Sequence, residues 1–207
     1  MTLADLPWDT ILEILGFCVG ILYLWWEYHA DSRLWFASIV MPTISMWIYL
    51  RKGIYADFAI NIYYFLIAIY GYIAWTRARH RGNKAKENKK SSLPITQIPA
   101  RRLAACIAVF IVLWGAFYCL LRYVTDSTVP IADAFTTSLS IVAMWMLARK
   151  YLEQWIAWIA VDAVSVGLYA YKGIYFYAVL YLIYTVIAFK GYRNWHRIMK
   201  EHIRDDK

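Results

Sequence analysis

Charge is scarce in this chain: 17% of its 207 residues are Asp, Glu, Lys or Arg, while 62% are hydrophobic. So little polar surface cannot cover a globule of this size, which excludes a water-soluble fold and leaves lipid as the solvent. Cysteine is rare as well. Cys18, Cys106 and Cys119 are odd in number, fall inside apolar stretches and lack metal-ligand spacing, so they read as packing residues. His29, His80, His196 and His202 stand at segment ends or in tails, none beside another histidine or a carboxylate at ligand spacing. Neither a metal site nor any other cofactor is expected. Also missing are the alternating strands of about 10 residues that build a membrane barrel. The start carries Asp5, Asp9 and Glu13 in place of a basic n-region, so it does not resemble a cleaved signal peptide.

What the chain has in quantity is long apolar stretches. Seven can be read: Thr10–Tyr28, Leu34–Leu50, Tyr55–Thr76, Leu103–Leu121, Ile131–Ala148, Gln154–Tyr171 and Tyr175–Trp195. Each approaches the roughly 20 residues a helix needs to cross about 30 Å of hydrocarbon. The expected fold is therefore an all-α, polytopic membrane protein with seven transmembrane helices. Numbered by alternation, one side of the membrane receives 18 of the 22 basic residues, including the run from Arg77 to Lys90, and the other only Arg51, Lys52, Arg122 and Lys172. The positive-inside rule makes the rich side cytoplasmic, which places the N-terminus outside and the C-terminus inside. A net charge of +8 also raises the question of nucleic acid. These charges cluster between spanning helices, where anionic lipid favours them, so membrane lipid is the expected partner and nucleic acid is not.

The chain repeats itself at an offset of 120 residues. Residues 25–75 laid over 145–195 without a gap give 16 identities in 51 positions, among them Trp35/Trp155, Ser45/Ser165, Tyr49/Tyr169, Lys52-Gly53-Ile54-Tyr55 against Lys172-Gly173-Ile174-Tyr175, Tyr64/Tyr184, Gly71/Gly191 and Trp75/Trp195. Helices one to three form one copy and helices five to seven the other. Three spans reverse side and the fourth reverses it back, so the copies are parallel repeats. The single transmembrane domain 1–207 then divides into a first repeat at 10–76, a cytoplasmic basic linker at 77–100, a linker helix at 103–121 and a second repeat at 131–195. This 3+1+3 order resembles the architecture of SWEET-type transporters.

Polar residues inside the spans mark the candidate site. Helix six carries Trp155, Trp158, Asp162, Ser165 and Tyr169 at steps of three or four, all on one face. Asp162 is mid-span, where a charge costs at least about 2.5 to 3.5 kcal/mol, so it needs the bundle interior or water and a partner. It is either a ligand's counter-charge or a hydrogen-bonded, protonated lock between helices; the aromatic residues on its stripe suit a flat cation. Its counterpart in the first repeat is Pro42, which is expected to kink helix two and free the carbonyl of Ser38. Helix three offers Asp57, Asn61, Tyr64, Ala68, Gly71 and Trp75 on one face, and helix seven answers with Tyr177, Tyr181, Tyr184, Ala188, Gly191 and Trp195. The small residues read as close helix packing, Trp75 and Trp195 as anchors at the cytoplasmic interface, and Asn61 as an amide able to read a ligand.

These segments resemble the PnuC family of vitamin transporters. The resemblance is carried by Gly53-Ile54-Tyr55-Ala56-Asp57-Phe58-Ala59-Ile60-Asn61, by Ala148-Arg149-Lys150-Tyr151-Leu152-Glu153-Gln154-Trp155, and by Asp162-Ala163-Val164-Ser165. It implies a carrier rather than an enzyme, placed in the bacterial inner membrane and moving nicotinamide riboside by facilitated diffusion. It further implies a cytoplasmic kinase that traps the vitamin by phosphorylation, and a homo-oligomer of trimeric kind. Substrate contacts fall by resemblance on Trp158, Asp162 and Asn61; the residues sharing their faces add Tyr64, Ser165, Tyr184 and Trp155. The chain departs from the riboside carriers in having Asp162 where they have Asn, Asn61 where they have Gln, and no Asn near Met41. An acid in place of an amide keeps thiamine, carried by related family members, open as the substrate. No second carboxylate, Ser/His pair or metal set shares the depth of Asp162, which argues against an enzyme; a receptor or scaffold is opposed by the resemblance alone. No ATP- or sodium-binding motif stands out, although a proton on Asp162 would be able to couple.

Overall fold

The computed structural model describes residues 19–52, 55–82, 93–125 and 128–205. Residues 10–18 of the first stretch with Cys18, Gly53 and Ile54, residues 83–92 of the basic linker and the last two residues lie outside them. Among the described residues the chain folds into seven helices: α1 (19–28), α2 (Leu34–Lys52), α3 (Tyr55–Gly82), α4 (Ala100–Val124), α5 (Pro130–Ala148), α6 (Gln154–Tyr171) and α7 (Tyr175–Asp205). Four of these are long and apolar enough to cross a membrane, over Phe58–Arg77, Ala100–Val124, Pro130–Ala148 and Tyr175–His202. Internal packing divides the chain into two compact units, residues 1–73 and 74–207.

Local chemistry sets the helix ends. Pro130 opens α5, where its missing N–H costs nothing and its fixed φ is already helical. α6 closes on Gly173, whose φ of 72° is the left-handed conformation a glycine adopts without a Cβ penalty. There the Gly173 N–H donates to the Ala170 carbonyl (3.1 Å) and the Ile174 N–H to the Tyr169 carbonyl (2.9 Å), the double closure of a Schellman motif.

In the first unit α1 ends on the same motif with a different residue. Ala30 takes the left-handed position at φ 52°, its N–H donates to Glu27 (3.0 Å) and the Asp31 N–H to Trp26 (2.8 Å). Asp31 accepts hydrogen bonds from the Arg33 backbone and guanidinium, and these hold its carboxyl below the usual carboxylate range. α2 then runs through Pro42 as one helix. Trp35 and Ala68 are fully buried, and Trp35 lies over Gly71, where a Cβ would come within 3.0 Å of the indole ring. Glycine is required at that position because a rigid ring cannot give way.

In the second unit α5 packs on α4 and on α6, and α6 packs on α7. α5 ends as α1 does: Lys150 is left-handed at φ 53°, its N–H donates to Leu147 (2.9 Å) and the Tyr151 N–H to Met146 (3.0 Å). Ala30 and Lys150 are 120 residues apart, and so are their bonding partners. The two turns thus share one backbone geometry across 27–34 and 147–154, where the two copies share no identical residue. The tertiary contact that follows also recurs, because Trp155 lies over Gly191 as Trp35 lies over Gly71. The small residues of α3 and α7 accordingly serve close packing, as expected.

Two expectations change. Trp75 and Trp195, read from sequence as interface anchors, are buried inside the second unit at 2% and 0% exposure. Trp75 donates from Nε1 to the Ala148 carbonyl (3.1 Å), the Lys150 Nζ sits 4.0 Å from the centre of its ring, and Trp195 packs against both Trp75 and Trp155. An indole that finds an acceptor, a cation and aromatic neighbours within the protein has no reason to face the headgroups. The span expected as a linker, 77–100, is also partly regular. Residues 77–82 continue α3, and Thr96 pairs in parallel with Tyr151 through bonds from Thr96 N–H to Lys150 (3.1 Å) and from Leu152 N–H to Thr96 (3.0 Å). Glu153 accepts from the Ile98 N–H (2.9 Å), and Arg102 donates to the Tyr151 hydroxyl.

Candidate functional site

α6 carries most of the candidate site. Its stripe survives in the structure: Trp155, Asp162 and Ser165 are buried, and Trp158 is partly buried with its indole Nε1 enclosed. Asp162 is the chemically sharp member, at 7% exposure in the middle of the helix. Among the described residues no side chain hydrogen-bonds to its carboxylate and none forms an ion pair with it. Tyr181 and Tyr184 of α7 lie within its electrostatic reach. A carboxylate held in this way, with hydroxyl-bearing rings about it and no cation of its own, attracts a positive ligand or a proton.

The structure sets Tyr184 near Asp162 and adds three tyrosines that the sequence placed on these faces without assigning them a role. Tyr169 of α6 stacks on Tyr177 and on Tyr181, with ring centres 5.3 and 5.2 Å apart and planes 24° and 11° from parallel. Tyr181 meets Tyr184 edge-on at 5.8 Å. Aromatic rings therefore line α6 and α7 on the Asp162 side. Trp155 is used differently: it fills the notch above Gly191 and packs edge-on against Trp195 at 5.7 Å, a placement that accounts for its size without a ligand.

Asn61 and Tyr64 belong to the first unit, one turn apart on α3 and both partly buried. The Tyr64 ring is 5.6 Å from that of Tyr63, and Tyr64 lies near Tyr23 of α1. The same unit holds a buried carboxylate that the sequence did not single out: Glu27, 2% exposed near the end of α1, accepts a hydrogen bond from the Tyr23 hydroxyl. Its place beside His29 and Asp31 makes it read as part of a polar turn, and only the packing reveals its burial. Among the described residues no group of His, Cys, Asp and Glu is arranged to hold a metal ion.

Comparison with known proteins places this arrangement. The family model described as nicotinamide mononucleotide transporter matches residues 10–197. The nicotinamide riboside transporter PnuC of Escherichia coli is 26% identical over 95% of this chain and 88% of its own length. The riboflavin/roseoflavin transporter RibM of Streptomyces davaonensis is 33% identical over 62% of this chain and 58% of its own. Among solved structures, a crystal structure of the vitamin B3 transporter PnuC aligns with a TM-score of 0.64, covering 89% of this chain and 80% of that one at 19% identity, and so shares the fold. The chain belongs to the nicotinamide mononucleotide transporter family and is a multi-pass inner-membrane transporter, not an enzyme.

Proposed function

We propose that this transporter carries nicotinamide riboside into the cytoplasm by facilitated diffusion. The observation that points to a flat cationic ligand is the buried Asp162, unpaired among the described residues and set beside Trp158 and the α7 tyrosines; because the riboside carriers have Asn at this position, the choice of the riboside rests on the relative named for it. Nicotinamide riboside is a flat pyridinium cation, and it suits a carboxylate set among aromatic faces. The E. coli relative is named for that vitamin. Riboflavin, for which the Streptomyces relative is named, has an uncharged ring system and would leave Asp162 without a counter-charge. Thiamine is a cation as well, but none of the relatives above is named for it.

The binding residues of the proposal are Trp158, Asp162, Ser165 and Tyr184, all within the second unit; Trp155 supports this face by packing, and Asn61 and Tyr64 of the first unit keep the ligand-reading role that the resemblance implies for Asn61 and its face. The helices form two parallel three-helix repeats joined by α4, a reading supported by the matching turns at Ala30 and Lys150 and the matching Trp–Gly contacts. The N-terminus is outside and the C-terminus cytoplasmic, on the basis of the charge asymmetry. The working unit is a trimer, and a cytoplasmic kinase phosphorylates the vitamin so that inward diffusion continues. Titration calorimetry of the purified protein with nicotinamide riboside, thiamine and riboflavin tests the choice of substrate. The riboside should bind and riboflavin should not; binding of thiamine with no binding of the riboside would overturn it.

A further inference from the structure

The first residues of α6 concentrate unpaired polar atoms. Both amide atoms of Gln154 and the indole Nε1 of Trp155 and of Trp158 are enclosed and have no hydrogen-bond partner. Gln154 is 0% exposed. Native proteins satisfy nearly all such groups, so several within five residues call for an explanation. The repeat supplies a control for Gln154. The matching position is Leu34, also 0% exposed and also the first residue of its helix. The backbone closes in the same way at both, from Leu34 N–H to Asp31 (3.2 Å) and from Gln154 N–H to Tyr151 (3.3 Å). The fold at this place thus accepts an apolar side chain, and the amide in the second copy serves something other than packing.

Position says what it serves. Gln154, Trp158 and Asp162 follow one another at steps of four on one face of α6, roughly 6 Å apart along the axis at 1.5 Å per residue. A planar cation stacked on Trp158 has the Asp162 carboxylate on one side and the Gln154 amide on the other. A primary amide presents one acceptor and two donors, and the group that matches both at once is another carboxamide, paired through two antiparallel N–H···O=C bonds. We propose that Gln154 is a specificity-determining residue that reads the ligand's carboxamide, an inference that rests on nicotinamide riboside being the substrate. The amide is closed over in this conformation, and the opening that alternating access demands at one end of the site brings it to the ligand.

The test is titration calorimetry of the parent protein and its Gln154→Leu variant with nicotinamide riboside and with the same pyridinium riboside lacking the carboxamide. Thermal unfolding of each protein runs alongside, with Gln154→Met as a second variant. The parent should prefer the carboxamide ligand by roughly 10-fold. The Leu variant should bind the two ligands equally and unfold at the same or a higher temperature, because it loses an unsatisfied buried amide. A folded variant that keeps the parent's preference overturns the role of Gln154 and leaves the substrate reading intact. Failure of both variants to fold makes Gln154 structural and overturns it too. A parent that binds neither ligand overturns the substrate reading, and this assignment with it.

Discussion

Trp158 and Asp162 stand one turn apart on α6 and supply different parts of the proposed binding energy. Trp158 offers a face for stacking, worth about 1 to 2 kcal/mol for a cation, so Trp158→Ala should weaken nicotinamide riboside binding roughly 5- to 30-fold. Trp75 is buried against Ala148, Lys150 and Trp195. Trp75→Ala should therefore lower the unfolding temperature and leave the affinity of the folded protein near that of the parent. Equal losses of affinity in two well-folded variants, read by calorimetry, would remove the argument for the α6 face. Asp162→Asn keeps the shape and removes the charge. The riboside carriers that the sequence resembles have Asn here, so the substitution measures what the charge adds in this chain: if Asp162 is the counter-charge, affinity for the riboside should fall, and affinity for thiamine should fall more, by about 2 kcal/mol or more, roughly 30-fold. Unchanged affinity would make Asp162 a protonated structural residue, since both side chains can donate a hydrogen bond.

The helices themselves were readable from the sequence because charged or glycine-bearing turns interrupt the apolar runs: Asp31 to Arg33, Lys52-Gly53, Glu153 and Lys172-Gly173. The starts of α2, α3, α6 and α7 fall at Leu34, Tyr55, Gln154 and Tyr175, where the sequence placed them. Among the described turns, a glycine marks the left-handed residue at Gly173. At Ala30 and Lys150 the left-handed residue is not glycine, so composition gives no signal and only the backbone shows that both copies close in one way. An alanine at φ 52° carries strain that glycine would not. Ala30→Gly should stabilise the protein by about 0.5 to 1 kcal/mol in thermal unfolding, and a loss of stability would show that the Ala30 methyl is needed for packing. The stripe Trp158, Asp162, Ser165 could be read from its period, whereas Gln154 and Glu27 could not. Each sits beside charged or polar neighbours, where a sequence implies a solvated turn, and burial depends on helices distant in the chain. The same limit explains Trp75 and Trp195: their position along the helix is legible, but the side of the helix that faces protein is set by tertiary packing.

At the scale of the whole molecule the account makes claims about orientation and energetics. A reporter fused after Lys207 should be active only in its cytoplasmic form, and one inserted between Arg122 and Pro130 only in its external form; the opposite result at either place would reverse the topology drawn from the 18-to-4 division of basic residues. Under the proposed function the carrier is uncoupled, so that the ligand's own gradient and charge drive it. The most direct measurement is uptake of labelled nicotinamide riboside into vesicles containing only the purified protein, with the membrane potential clamped at zero. The account predicts entry until inside and outside concentrations match, unaffected by ATP, sodium or a pH gradient. Accumulation above the external level under a pH gradient would contradict facilitated diffusion and assign Asp162 a coupling proton, and a folded protein that moved no riboside would contradict the proposed function itself.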